Sequence, residues 1–203
     1  MALTKTVEYD RTEIVGPTKA VQCREATIVK EDGVELSRTF HRHVLHPSSC
    51  KNNGDGTFTD VSEEAGIHSV WGNGLGVTVG DVNDDSFLDV FVANDEMNNQ
   101  LWMNQGDGTF IDDALVSGVA VDANGEPKAG MGTDFADIDN DGDLDLLVVN
   151  LLGQSDSMFI NQGGWVEDGT PRSGLSSITR PFTRFGVGFH DLNNDGFLDL
   201  YIA

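Results

Sequence analysis

Three stretches of the chain are copies of one another: GVTVGDVNDDSFLDVFVAN (76–94), GTDFADIDNDGDLDLLVVN (132–150) and GVGFHDLNNDGFLDLYIA (186–203). Gly76, Gly132 and Gly186 align, and so do Asp81, Asp137 and Asp191, at steps of 56 and 54 residues. A second element recurs out of phase as NNGDGTFTD (52–60), NQGDGTFID (104–112) and the worn copy NQGGWVED (161–168). A small-residue turn follows each one, at Ala65-Gly66-Ile67, Ser117-Gly118-Val119 and Ser173-Gly174-Leu175. Self-similarity at such a period marks a tandem repeat, in which each unit buries its apolar surface against its neighbours.

Each repeat parses into four short strands. In the first complete copy they are expected near 76–80, 88–93, 100–104 and 109–115. Val, Phe, Ile, Leu and Trp fill them, and Gly/Asn/Asp clusters separate them. Trp102, within the third strand, is expected in the core. No stretch has helical periodicity. Four strands per tandem repeat predict an all-β chain: a partial β-propeller of about two full blades and two half-blades. A β-helix would need shorter repeats, and separate sandwich domains longer ones.

Inside every copy lies the pattern D-x-[DN]-x-D-[GS]-x-x-D. The copies are Asp81, Asn83, Asp85 and Asp89; Asp137, Asp139, Asp141 and Asp145; Asp191, Asn193, Asp195 and Asp199. Oxygen ligands at positions 1, 3, 5 and 9 curl a loop around one hard cation. Position 7 (Phe87, Asp143 or Phe197) can add a backbone carbonyl. An all-oxygen set suits Ca²⁺ rather than zinc. Carboxylates this close repel one another without a cation. A solvated acidic turn would not need Asp at positions 1, 5 and 9 in every copy. An EF-hand needs an acidic residue at position 12, where this chain has Val92, Val148 and Ile202. The middle loop, with four carboxylates and Gly142, is expected to bind tightest. The first, with Asn83 and Ser86, is expected to bind weakest.

Outward from the repeats the chain changes character. It has 203 residues and a formal net charge of −22. Residues 1–50 hold seven acidic and seven basic side chains, so residues 51–203 carry the whole excess. Glycine divides the same way, with Gly16 and Gly33 the two that precede residue 51. A domain boundary is therefore expected near residue 50. The first part reads as a β-hairpin: AVQCREATIV (20–29), a turn at Asp32-Gly33, then a strand with Val34, Leu36, Arg38 and Phe40 on one face. His41, His43 and His46 could form a zinc site, but no Cys or carboxylate stands beside them at ligand spacing, so a solvated strand end is the simpler reading. Cys23 and Cys50 are too few for a disulfide framework, and their pairing stays open.

Composition also excludes classes of partner. Nucleic acid and anionic membrane surfaces need Lys/Arg-rich patches that this chain does not offer. The longest apolar run, LDLLVVNLL (144–152), is too short to span a bilayer. The opening MALTKTVEYDRTE has no apolar stretch that would predict a signal peptide. G-x-S-x-G, H-E-x-x-H and the phosphate-binding G-x-x-x-x-G-K-[ST] are all missing, so no enzyme is expected.

The segments GDVNDDSFLDVFVAN, ADIDNDGDLDLLVVN and HDLNNDGFLDLYIA, with LWMNQGDGTF, resemble FG-GAP/VCBS repeats. These build the integrin α-subunit propeller and proteins of the cartilage acidic protein type. The resemblance covers residues 52–203. It implies a β-propeller with Ca²⁺ in the loop between the first two strands of many blades. It also implies an extracellular or cell-surface setting and a protein or glycan ligand bound through the propeller loops. The alternative is a lectin-like or accessory carbohydrate-binding propeller of a polysaccharide-active enzyme. Two departures stand out. Ser86 replaces the Gly seen at Gly142 and Gly196, and the blades are too few to close a ring. The chain is therefore expected to be a fragment or a chimeric gene model, with self-association through the C-terminal blade edge around Leu198, Leu200 and Ile202.

Overall fold

The computed structural model describes residues 3–15, 20–32, 34–45, 50–163 and 165–203. They fall into two compact units, Met1–Ser62 and Glu63–Ala203. In the first unit, β1 (Leu3–Val15), β2 (Ala20–Glu31) and β3 (Val34–Leu45) form an antiparallel meander in sequence order. The expected hairpin is β2–β3, turning at Asp32 with φ of 48°. Strand β1 adds to its other edge, with Thr6 opposite Ile28, and was not foreseen. Ile28 is fully buried, whereas Val34 and Leu36 are exposed, so the face expected to pack is open at its start. The zinc reading of His41, His43 and His46 and the pairing of Cys23 with Cys50 fall on side chains outside the described residues. A separate two-stranded sheet joins β4 (Cys50–Asn52) to β5 (Phe58–Asp60).

The second unit is built from blades. Strands β6 (Gly74–Gly80), β7 (Asp89–Asn94), β8 (Gln100–Asn104) and β9 (Phe110–Asp112) form a four-stranded antiparallel sheet in sequence order. So do β10 (Gly130–Ala136), β11 (Asp145–Asn150), β12 (Ser157–Asn161) and β13 (Val166–Asp168). Strands β14 (Val187–His190) and β15 (Asp199–Ile202) form a two-stranded sheet. The fourth strand, expected to run to residue 115, stops at Asp112. The Asp112 carboxylate accepts hydrogen bonds from Leu101 N and from Ala114 N, which turns the chain into the one-turn helix α1 (Ala114–Ser117). Gly118, at φ 84°, closes that helix, and Gly66 and Gly174 take the same left-handed conformation in the matching turns. Two further short helices, α2 (Thr170–Ser173) and α3 (Leu175–Thr179), follow the second blade. Among the described residues no helix is long and apolar enough to cross a membrane.

The second strand of each whole blade is buried on both faces, which is why VFVA and LLVV read as continuous apolar runs rather than alternating ones. One face of β7 puts Phe91 and Ala93, with Leu101 of β8, against Leu146, Val148 and Phe159 of the next blade. The other face of that next blade puts Leu147 and Met158 against Phe189 and Leu200. Each of the larger side chains among them contributes about 1.5–3 kcal/mol by leaving water. Trp102, as expected, is in the core. Close approach of blades explains two aligned glycines. A Cβ on Gly76 would lie 2.1 Å from the carbonyl oxygen of Met131, and one on Gly132 would lie 2.1 Å from that of Phe185. A buried ion pair, Arg184 to Asp156 at 2.6 Å, also ties the second blade to the segment entering β14.

Candidate metal centre

The three acidic loops connect the first and second strands of their blades, and each folds on itself by the same hydrogen bonds. The position-1 carboxylate accepts two backbone N–H groups from the far side of the turn. Asp81 takes Asp85 N at 3.0 Å and Ser86 N at 2.8 Å. Asp137 takes Asp141 N and Gly142 N, both at 3.1 Å. Asp191 takes Asp195 N at 3.1 Å and Gly196 N at 3.0 Å. Position 5 then accepts the N–H of position 7: Phe87 on Asp85, Asp143 on Asp141, Phe197 on Asp195. Position 4 (Asp84, Asn140, Asn194) has a positive φ in all three loops, a conformation that Asn and Asp tolerate best among residues with a Cβ. Position 6 is also left-handed, at φ 72° for Ser86, 98° for Gly142 and 89° for Gly196. Ser86 is therefore the strained member, at a cost on the order of 1 kcal/mol.

Position 9 links the loop to the blade. Asp89 and Asp145 are fully buried at the start of β7 and β11. Each uses one oxygen for the loop and one for the third strand. Asp89 accepts from Val82 N at 3.1 Å and Asn104 N at 2.8 Å. Asp145 accepts from Ile138 N and Asn161 N, both at 2.9 Å. Burial pushes the Asp145 carboxyl above the ordinary carboxylate range. Its two N–H partners pull it back, and the charges of Asp139 and Asp141 raise it further. Asp89 is raised in the same way, by burial first and then by Asp85 and Asp81 against its own two N–H donors. Asn104 and Asn161 were missed as part of the site. Their signal was present, since both open the NQG element that repeats along the chain.

In the middle loop one oxygen each of Asp137, Asp139 and Asp145 lies within 4.8 Å of the others. Among the described residues no other trio of His, Cys, Asp or Glu side chains converges so closely. Asp141 stands outside that trio, engaged by Asp143 N. In the first and third loops position 3 is an amide, and the Oδ1 of Asn83 and of Asn193 accepts a hydrogen bond from the position-5 N–H. The donor set of the middle loop is all oxygen and anionic, and a cation there would offset the burial that raises the Asp145 carboxyl. The cluster can hold a metal ion, and its chemistry fits a hard one.

Comparison with known proteins agrees with the repeat. A family model described as an FG-GAP-like repeat matches residues 81–148 and again residues 137–202, together more than half of the chain. Cartilage acidic protein 1 of Homo sapiens is 38% identical over 94 residues, and so is the Mus musculus protein. The Xenopus tropicalis protein is 34% identical over 95 residues. The matched stretch is 46% of this chain and 14% of the human relative, so the chain spans a small part of the relatives' length.

Proposed function

The chain belongs to the FG-GAP-like repeat family, and on that premise we propose that it is a Ca²⁺-binding blade module that docks an extracellular protein or glycan through its loops. The observation that carries the calcium reading is the convergence of Asp137, Asp139 and Asp145 within a loop whose backbone is already closed. Asp141 and the carbonyl of Asp143 complete the proposed set. The sets Asp81, Asn83, Asp85, Phe87 and Asp89, and Asp191, Asn193, Asp195, Phe197 and Asp199, are weaker versions of it. The ion neutralises buried charge in the middle loop and stiffens the ligand-facing surface, and the reading includes no catalytic step.

Calcium should therefore raise the melting midpoint. At ten times Kd a single site adds about 1.4 kcal/mol, from the dependence of stability on ligand bound to the folded state. That is a shift of several degrees for a chain of this size. A midpoint that does not move between millimolar Ca²⁺ and excess chelator contradicts the reading.

One observation favours the carbohydrate alternative. Trp71 and Trp165 are 81% and 60% exposed, and Trp71 stands edge-on to His68 with ring centres 6.4 Å apart. Exposed indoles present flat apolar faces suited to sugar rings. Glycan-array binding that is lost in Trp165→Ala or Trp71→Ala would favour it over protein docking.

A further inference from the structure

We propose that Asn161 makes the first and middle acidic loops one coupled unit, so that an ion held by either loop raises the affinity of the other. The proposal rests on the calcium reading and adds a positioning residue from outside the ligand sets. Asn161 ends β12 in the second blade. Its backbone N–H donates to Asp145 Oδ1 at 2.9 Å. Its side-chain Nδ2 donates to the carbonyl oxygen of Val82 at 2.9 Å, 79 positions earlier and in the first blade. Val82 is position 2 of the first loop, and its own N–H donates to Asp89 Oδ2 at 3.1 Å. Hydrogen bonds therefore run from the position-9 anchor of one loop to that of the other, through Asp145, Asn161, Val82 and Asp89.

Asn104 holds the same place in the first blade and uses its side chain differently. Its N–H donates to Asp89 as that of Asn161 does to Asp145. Its Oδ1 accepts from Gly106 N at 3.0 Å, as Asn161 Oδ1 accepts from Gly163 N at 3.2 Å. Its Nδ2, however, donates to Leu88 O of its own loop at 3.1 Å. The matching bond from Asn161 to Leu144 O is the longer of its two, at 3.4 Å. The amide of Asn161 is thus turned toward the neighbouring loop. Packing joins the same two loops. Leu144 lies so close to Gly80, the residue before Asp81, that a Cβ there would be 2.6 Å from Leu144 Cδ1.

The path is shielded from water. Asp89, Asp145 and Asn161 are buried, and Val82 is half-buried against the core shared by the two blades. Water cannot readily replace a hydrogen bond there, so breaking one leaves a buried group unpaired. Fixing Asp145 fixes Asn161, and fixing Asn161 fixes the Val82 peptide and with it Asp89. Whichever loop is occupied first leaves less to order in the other. The effect is reciprocal, as linkage requires.

The N–H groups of Ser86, Gly142 and Gly196 each donate to the position-1 carboxylate of their own loop, so their NMR resonances report the three loops separately. The test titrates Ca²⁺ into the full chain, into Asp139→Asn, into Asn161→Ala and into the double variant. Asp139→Asn should weaken the middle loop. It should also raise the Ser86 midpoint roughly two- to tenfold, the span of one net hydrogen bond. Asn161→Ala keeps the N–H to Asp145 and removes the bridge. It should raise the Ser86 midpoint by a similar factor and leave the Gly196 midpoint in place. In its background Asp139→Asn should add nothing at Ser86. Loss of a negative charge acts through space with or without Asn161, so the cycle separates field from bridge.

A second readout needs no metal. In chelator, amide exchange at Val82 should be faster in Asn161→Ala, while exchange at Leu192, whose N–H meets Asp199 in the same way, should not change. Asn161→Leu, of similar shape, serves if the Ala variant does not fold. A Ser86 midpoint that ignores Asp139→Asn while Gly142 responds overturns the proposal, and that pair needs no change at Asn161. So does an Asp139→Asn shift that persists in Asn161→Ala, or Val82 exchange that does not change. Loops that respond to Ca²⁺ independently leave the calcium reading standing, whereas three resonances that never move overturn both.

Discussion

The middle acidic loop and the first share a scaffold and differ in what they do with it. Both close through the position-1 carboxylate, both anchor position 9 under the blade, and both turn left-handed at positions 4 and 6. The first loop spends position 3 on itself: Asn83 donates its amide to Asp85 at 2.8 Å. The middle loop leaves Asp139 with no such internal role and puts its oxygen beside those of Asp137 and Asp145. Backbone closure and charge collection are thus separable, and residues can be sorted by which of the two they serve.

The largest expected effect breaks the scaffold rather than the charge. Asp145→Ala removes the acceptor of two buried N–H groups, each worth about 1–3 kcal/mol when left unmade. Denaturation in chelator should show a loss of about 2–5 kcal/mol. Asp139→Ala, at an exposed position, should leave metal-free stability within about 0.5 kcal/mol. Equal losses would erase the distinction between the two roles.

Acidity sharpens the same comparison. The folded-state pKa values of Asp89 and Asp145 are raised, so between the ordinary carboxylate value and the raised one the folded chain keeps protons that the unfolded chain has released. Their contribution to metal-free stability is therefore lost as pH rises through that window. Bound Ca²⁺ favours the ionised forms and should flatten or reverse this slope. Urea midpoints measured across the acid range, with and without Ca²⁺, check the sign, and metal-free stability that rises through the window would contradict it.

The smallest effect is at Ser86. Replacing it by Gly, as at Gly142 and Gly196, should stabilise the chain by about 0.5–1 kcal/mol through relief of its positive φ. A melting midpoint that falls in Ser86→Gly would show that Ser86 is not strained.

The blades were legible because a repeat tests itself: Asp81, Asp137 and Asp191 define a phase, and the apolar runs after Asp89 and Asp145 are long enough to be strands covered on both faces. What escaped was what depends on partners distant in sequence. Strand β1 carries TVEYDRTE, whose charges interrupt any apolar alternation, and becomes a strand by pairing with β2. Asn104 and Asn161 open the repeated NQG element, and their bonds to Asp89 and Asp145 span 15 and 16 positions that no local spacing reveals. The end of the fourth strand at Asp112 was lost for the same reason, since its carboxylate reaches back to Leu101 N.

Isothermal titration of Ca²⁺ into the wild-type chain and into Asp139→Asn tests the central claim most directly, since that substitution gives the middle loop the side chain of the first at position 3. Wild type should show one tighter site above weaker ones, and Asp139→Asn should lose the tighter site while keeping its fold. Isotherms that superpose, or a wild-type chain that takes up no Ca²⁺, would contradict the account.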